Sequence, residues 1–445
     1  MGVRTPGRVS VLRLRLLVPG LLVALVLPLV PALLAPGASV PGGSVATAVE
    51  RKPTYRAKEG PTFNTAIGEP AQRRAILDKI IQTIRHTSPK GTIKIMTWNF
   101  MNPQAADALI ERARRGTTVR VLMDASNNDV DTDNPSFRRL KAGLAATNGK
   151  REKNATKSFA RMCKGSCRGK SGAAHTKMFL FDKVGLSRDV LIQGSANLTT
   201  ASAANQWNEI YTYVGRTKLY DFAEEIFDEM WLDQPRKNAY RAFEGNRYSL
   251  YFSPYYGKDF KGDPVQKAMD DIRCFGAENA GNANGRTIVR SAPDVIRGQR
   301  GNIAARRLKA LWDQGCDVRV AYTVMGVEAK RILTAGGGRG PVPIRHLVQD
   351  FDGDGDFDNY FHLKVLTING RLGADRTAHV TFNGSANTSD GASRSDEQIG
   401  KLVGRRNTLL YQRFIDRWFE NPPPNAARRA DAPPNPDPYQ HVDMD

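Results

Sequence analysis

"HTKMFLFD", residues 175–182, opens with a histidine and a lysine two positions apart and runs through four apolar residues to an aspartate. In an extended chain successive side chains alternate faces, so His175 and Lys177 project from one side of a strand whose later residues pack into a core. Two groups able to carry positive charge, converging on one spot, suit an anion. A lone His-x-Lys is common, and a histidine at a strand end more often bonds a backbone carbonyl. Here the pattern returns 187 positions later as "HLKVLTIN", residues 362–369, with His362 and Lys364 in the same places. Each copy is followed by "GSAN", at 194–197 and 384–387, and then by a glutamate, Glu209 in "QWNE" and Glu397 in "SDE". Four features in one order, twice, mark an internal repeat.

The repeat extends beyond the motifs. In the first half the amphipathic "AILDKIIQTIRH" leads to a strand "GTIKIMTW", a helix "QAADALIERARRG" and a strand "TTVRVLMDA". In the second, "VQKAMDDIRCFG", "RTIVRSA", "NIAARRLKALWDQG" and "CDVRVAYTV" follow the same order, with helical and strand periods alternating. The expected fold is α/β, with two pseudo-symmetric halves, each a mostly parallel sheet flanked by helices, and the active site at their interface. The halves span 49–240 and 241–420, and the proline-rich stretch 421–445 reads as a disordered tail.

Residues 1–48 read as a secretory signal, with Arg4, Arg8, Arg13 and Arg15 ahead of an uncharged apolar run from Leu16 to Leu34 and small residues after it. A retained membrane anchor is the rival, since the run is near spanning length. Three prolines in the segment, Pro19, Pro28 and Pro31, favour export and removal, so the protein is expected to be secreted and extracellular. Removing four arginines and no acids takes the formal charge from +20 to +16, which predicts attraction to polyanions without choosing between nucleic acid and an anionic membrane. An even set of cysteines in an exported chain predicts two disulfides, Cys163–Cys167 and Cys274–Cys316, with zinc at "CKGSC" as the alternative.

Two insertions break the symmetry. A basic loop from about Ser126 to Ala174 carries Arg138, Arg139, Lys141, Lys150, Arg151, Lys153, Lys157, Arg161, Lys164, Arg168 and Lys170, and ends directly at His175, as an active-site rim would. The second is "DFDGDGDFDN", just before His362. Asp350, Asp352, Asp354, Asp356 and Asp358 alternate there with Gly355 at the sixth place, as in an EF-hand loop, although Phe361 stands where the final glutamate belongs. The reading is a structural calcium bracing the approach to His362, against a plain acidic turn.

A phosphodiester needs cations around its non-bridging oxygens, a nucleophile, and an acid for the leaving oxygen. Lys177 and Lys364, with Asn197 and Asn387 as amide donors, supply the first, and the two histidines the rest. Glu209 and Glu397 are the carboxylates expected to orient the imidazoles. The two segments resemble the paired His-x-Lys-x4-Asp and Gly-Ser-x-Asn motifs of the phospholipase D superfamily. That resemblance implies metal-independent phosphodiester cleavage through a phosphohistidine, with His175 as nucleophile, His362 as acid, and transfer to alcohols as well as to water. It assigns Asp182, Ser195, Asn369 and Ser385 a supporting role, and Asn369 departs from the aspartate expected at its place.

A secreted chain with both motifs resembles exported bacterial phospholipases D, so the expected reaction is hydrolysis of a phospholipid head-group phosphodiester by a monomer at a membrane surface, with no cofactor needed for catalysis. A secreted nuclease is the alternative, and a non-catalytic polyanion-binding protein a more distant one. Trp98, Phe100, Met101 and Trp207 would either line the cleft for acyl chains or belong to the core.

Overall fold

The strand that begins one residue beyond Lys177, Met178–Val184, is buried over its first four residues because it lies mid-sheet with a neighbour on each side. The structure, a computed structural model, describes residues 54–129, 132–255, 260 and 262–424. The signal segment and the tail beyond 424 lie outside the described residues. The first sheet runs in the order Gly60–Phe63, Glu209–Val214, Ser187–Gly194, Met178–Val184, Thr92–Thr97, Thr118–Asp124, Phe159–Cys163. The second runs Arg241–Phe243, Tyr248–Phe252, Gln398–Val403, Asp375–Gly384, Lys364–Leu372, Ile288–Pro293, Asp317–Tyr322, Ile344–His346. Each motif strand sits near the middle of its sheet, where its position is set from both sides.

The α/β architecture with helix-flanked sheets is as the sequence implied, but the pairing is mixed rather than mostly parallel. In the two large sheets, parallel pairs join only the strands separated by helices, Thr92–Thr97 with Thr118–Asp124 and Ile288–Pro293 with Asp317–Tyr322, together with the edge strands beyond them. The motif strands return through two-residue turns, Gly185–Leu186 and Gly373–Ala374, and a connection that short can only reverse the chain. Gly185 has φ +53°, and a Cβ there would lie 2.2 Å from the Tyr55 carbonyl oxygen, so this turn requires glycine.

Helices cover the sheets through apolar stripes. Ala75–Arg85 buries Ile76, Leu77, Ile80, Ile81 and Ile84, and Pro103–Arg114 starts at Asn102, whose side chain caps the Ala105 N–H. The helix expected over "VQKAMDDIRCFG" stops at Asp271, and Ile272–Arg273 instead adds to the second sheet. The basic insertion is likewise not a plain loop: it holds the helix Pro135–Asn148 and the edge strand Phe159–Cys163. Its helix begins with an Asn134 cap and Pro135 and buries Phe137, Leu140 and Leu144, a signal legible in the sequence beneath the charges.

Each half has a core cluster of its own, around Ile80, Val121 and Phe179 in the first and Leu308, Val320 and Ile368 in the second, and a further cluster is common to both. One core cluster joins Met96, Leu180 and Tyr213 of the first half to Phe252, Leu363, Tyr411 and Trp418 of the second. Disulfides join Cys163 to Cys167 and Cys274 to Cys316, which removes the thiolates that zinc would have needed. No helix among the described residues is long and apolar enough to cross a membrane.

Candidate active site at the seam of the two halves

His175 lies just ahead of its strand and is bolted to the opposite half. Its backbone N–H donates to the Asp396 carbonyl (3.0 Å), and the Gln398 side chain bonds both the N–H and the carbonyl of Lys177 (3.0 and 3.0 Å). His362 is held in the reciprocal way, its N–H donating to the Trp207 carbonyl at 2.9 Å. Both imidazoles are fully buried, so their protonation is set by the groups around them rather than by bulk water.

His175 Nδ1 donates to Glu397 Oε1 at 2.9 Å, a fully buried pair crossing from one half to the other. With the hydrogen on Nδ1, Nε2 is the basic nitrogen of the neutral ring. The second histidine is oriented differently. His362 Nδ1 meets Asn208 Oδ1 at 2.8 Å. The Asn208 amide nitrogen faces Gln206 Oε1 and the Ser202 carbonyl (3.0 and 3.3 Å), so its oxygen must face the ring and Nδ1 must carry the hydrogen.

Glu209 does not orient a histidine, contrary to expectation. Its carboxylate accepts from Tyr411 Oη (2.5 Å) and Asn383 Nδ2 (2.8 Å) in the seam, and burial pushes its pKa up to about 7 against those hydrogen bonds. The reason is register. Ser195 N–H donates to the Glu209 carbonyl and Ser385 N–H to that of Gln398, each at 3.0 Å, so Glu209 is the counterpart of Gln398 and Asn208 that of Glu397. The two tetrapeptide serines fix this arrangement. Ser195 Oγ donates to Asn208 Oδ1 at 2.9 Å, and Ser385 Oγ donates to Glu397 Oε2.

The lysines also differ. Lys177 Nζ donates to the His175 carbonyl at 2.9 Å and lies 5.9 Å from the centre of the Trp98 ring, which meets His175 edge-on. Lys364 Nζ lies 2.6 Å from His362 Nε2 and 3.2 Å from Asp294 Oδ2, which is itself 3.7 Å from Nε2. Asp294 is fully buried and was missed from sequence, as were Asn208 and Gln398. Trp98 and Asp294 are equivalent: Phe100 pairs Leu198 as Ile296 pairs Thr388, two residues further on in each half. Aligning "TWNF" with "PDVI" from the tetrapeptides would have exposed the exchange.

The family model described as cardiolipin synthase, phospholipase D-like domain, matches residues 80–231. This stretch contains His175, Lys177 and Asn197. Over that segment the chain is similar to the phospholipase D-like family. Phosphatidylserine synthase from Haemophilus influenzae Rd KW20 is similar in fold, with TM-score 0.53, 12% identity, and coverage of 81% of this chain and 86% of that one. Polyphosphate kinase from Porphyromonas gingivalis gives TM-score 0.52 at 12% identity over 82% of this chain, which spans 50% of the kinase. The phospholipase D family member Nuc from Salmonella typhimurium aligns at 16% identity over 39% of this chain and 95% of its own length, with TM-score 0.28. No curated protein matches the chain by sequence.

Against the superfamily motif, Asn197 and Asn387 both lie buried. Asn197 Oδ1 accepts the Asn99 N–H at 3.3 Å, and the Asn387 carbonyl accepts from Arg300. Asp182 and Asn369, at the far ends of the motif strands, fasten neighbouring segments. Asp182 accepts the Thr92 N–H (2.8 Å), whereas Asn369 accepts that of Gly281 (2.9 Å) and donates to Gln412 (3.0 Å). Asparagine does this second job through its amide, which accounts for the departure from the motif.

Of the aromatic residues considered for a cleft wall, Trp98 sets its ring against His175, whereas Trp207 meets His362 through its backbone carbonyl. Phe100 and Trp207 are core, the latter packed on Trp418 at 5.3 Å. The basic insertion divides: Arg168 is buried on Glu229 (2.9 Å) and Arg161 stacks over Trp231, while Lys141, Lys150, Lys153, Lys157, Lys164 and Lys170 are exposed. In the acidic loop only Asp350, Asp352 and Asp358 bring carboxylate oxygens within 4.8 Å of one another. Asp354 Oδ1 instead accepts the Asp356 N–H at 2.8 Å, so the run of five does not converge as a set.

Proposed function

We propose that the chain is an exported phospholipase D that hydrolyses the head-group phosphodiester of phospholipids through a phosphohistidine on His175. The observation that carries the reading is the crossed pair of buried His-x-Lys units, each imidazole held at Nδ1 by an acceptor from the other half. Glu397 makes His175 Nε2 the better nucleophile, because a carboxylate on Nδ1–H stabilises the positive ring that forms during attack.

In the first step His175 Nε2 bonds to phosphorus, the bond from phosphorus to the head-group oxygen breaks, and His362 Nε2 delivers its proton to that oxygen. Lys177 and Lys364 balance the charge on the non-bridging oxygens. In the second step His362, now neutral, takes a proton from water as the water oxygen attacks phosphorus. The N–P bond breaks, His175 is regenerated, and the product is phosphatidate. An alcohol in place of that water gives head-group exchange.

The phosphatidylserine synthase likeness over most of both chains supports a lipid substrate, as does Trp98 beside His175. Both disulfides support an oxidising compartment. Calcium at Asp350, Asp352 and Asp358, whose oxygens suit a hard cation, would brace the strand Asn359–Phe361 and carry no chemical step.

The test is a side-by-side assay on phosphatidylcholine vesicles and plasmid DNA with His175→Ala as control. Choline release lost in the variant is the expected result, and EDTA leaves that release intact. DNA nicking without choline release would replace this reading with a nuclease.

A further inference from the structure

Asp294 belongs to neither motif, yet the sheet fixes it in the second half-site. Its N–H donates to the Leu363 carbonyl (2.6 Å), and its own carbonyl accepts from Thr323 and Val324 (3.2 and 2.7 Å). The side chain therefore has a backbone anchored on both sides. Resting on the phosphodiesterase reading, we infer that Asp294 is a positioning carboxylate that keeps His362 competent as the general acid for unactivated alcohols.

The two imidazoles differ in the charge set against Nδ1. His175 Nδ1 faces the Glu397 carboxylate, whereas His362 Nδ1 faces the neutral amide oxygen of Asn208. An imidazolium at 362 would stand beside the Lys364 ammonium in a fully buried place, and two adjacent cations there disfavour protonation. Asp294 Oδ2, near both Nε2 and Nζ, returns the triad to a single net positive charge. Tyr360, whose ring meets His362 edge-on at 5.7 Å, adds no charge at neutral pH.

The contacts also describe a handover. With Nζ 2.6 Å from Nε2, the lysine donates to a ring nitrogen that carries no proton. When a proton occupies Nε2, the lysine loses that acceptor and turns its hydrogen to Asp294, already 3.2 Å away. After the proton passes to the leaving oxygen, Lys364 returns. Asp294 thus balances the charge in the state that donates, and Trp98 suffices at the equivalent place because Glu397 already serves His175.

A carboxylate that favours imidazolium matters most when the leaving oxygen is strongly basic, as choline's is, and least for p-nitrophenolate. The experiment compares dioctanoylphosphatidylcholine with dioctanoylphosphatidyl-p-nitrophenol, using wild type, Asp294→Asn and Asp294→Glu across pH. In Asp294→Asn the ratio of p-nitrophenol to choline turnover rises about tenfold or more, and the alkaline limb for choline release moves down by about one pH unit or more. Asp294→Glu restores most of both. An unchanged ratio and limb in folded Asp294→Asn would overturn the inference, and Asp294→Ser replaces that variant if near-UV circular dichroism shows it misfolded. Failure of the underlying reading looks different: wild type would release neither product, or His175→Ala would release both.

Discussion

Asn208 and Glu397 fill the same place in the two halves, and only one of them carries charge. Glu397→Gln keeps the shape of the Nδ1 acceptor and removes the carboxylate, so kcat on a short-chain phosphatidylcholine falls by about 10²–10⁴ with a smaller change in KM. Steady-state kinetics at pH 7 check this. Glu209, one residue out of register with Glu397, has a different consequence. Its pKa is raised to about 7 by burial, so between the unfolded value near 4.5 and 7 the folded state binds the extra proton. Stability is therefore full below the unfolded pKa and declines as pH rises through that window. Glu209→Gln removes the decline, and its unfolding free energy from denaturant titration exceeds wild type at pH 8 but not at pH 4.5, by roughly 3 kcal/mol at most. Sequence spacing hid these roles. The serine-to-orienter separation is 13 residues in the first half and 12 in the second, so matching the two glutamates by eye slips the register by one. That slip turns a side chain to the other face of its strand.

At the scale of elements, the loop Cys163–Cys167 acts as a clamp on the segment that delivers Glu397. Ser166 Oγ and the Cys167 and Arg168 N–H groups all donate to Asp396 Oδ2 (2.9, 2.5 and 3.2 Å), and Asp396 is the residue whose carbonyl holds His175. Burial raises the Asp396 pKa to about 6, against Arg168 and these donors. Replacing both cysteines with serine loosens the clamp, costing about 2 kcal/mol of stability from the short ring alone and lowering kcat more than it raises KM. Thermal unfolding and phosphatidylcholine kinetics on the same preparation read the two effects. The cysteine pairing was legible from spacing and from the even count. The clamp was not, because it depends on a carboxylate 229 residues downstream of Cys167.

For the whole molecule, the shared core is the governing feature. Met96 and Leu180 pack in one cluster with Phe252 and Trp418, so one face of each half's sheet is closed by the other half, although each also has a cluster of its own. Far-UV and near-UV circular dichroism of the intact protein therefore follow a single transition on heating, with coincident midpoints. Two transitions separated by several degrees would contradict the shared core. The duplication was legible because motif strands repeat composition and order. The mixed pairing was not, since an apolar run reads alike in parallel and antiparallel surroundings, and only the two-residue turns betray the reversal.

Each histidine answers to a residue encoded in the other copy of the repeat: His175 to Glu397, His362 to Asn208. Such crossed ownership constrains inheritance. A recombinant that took one half from a relative would unite imidazoles with orienters never selected together, and both half-sites would be wrong at once. The ancestral duplication, once its copies diverged into one charged and one neutral orienter, became a partnership that neither gene segment can leave.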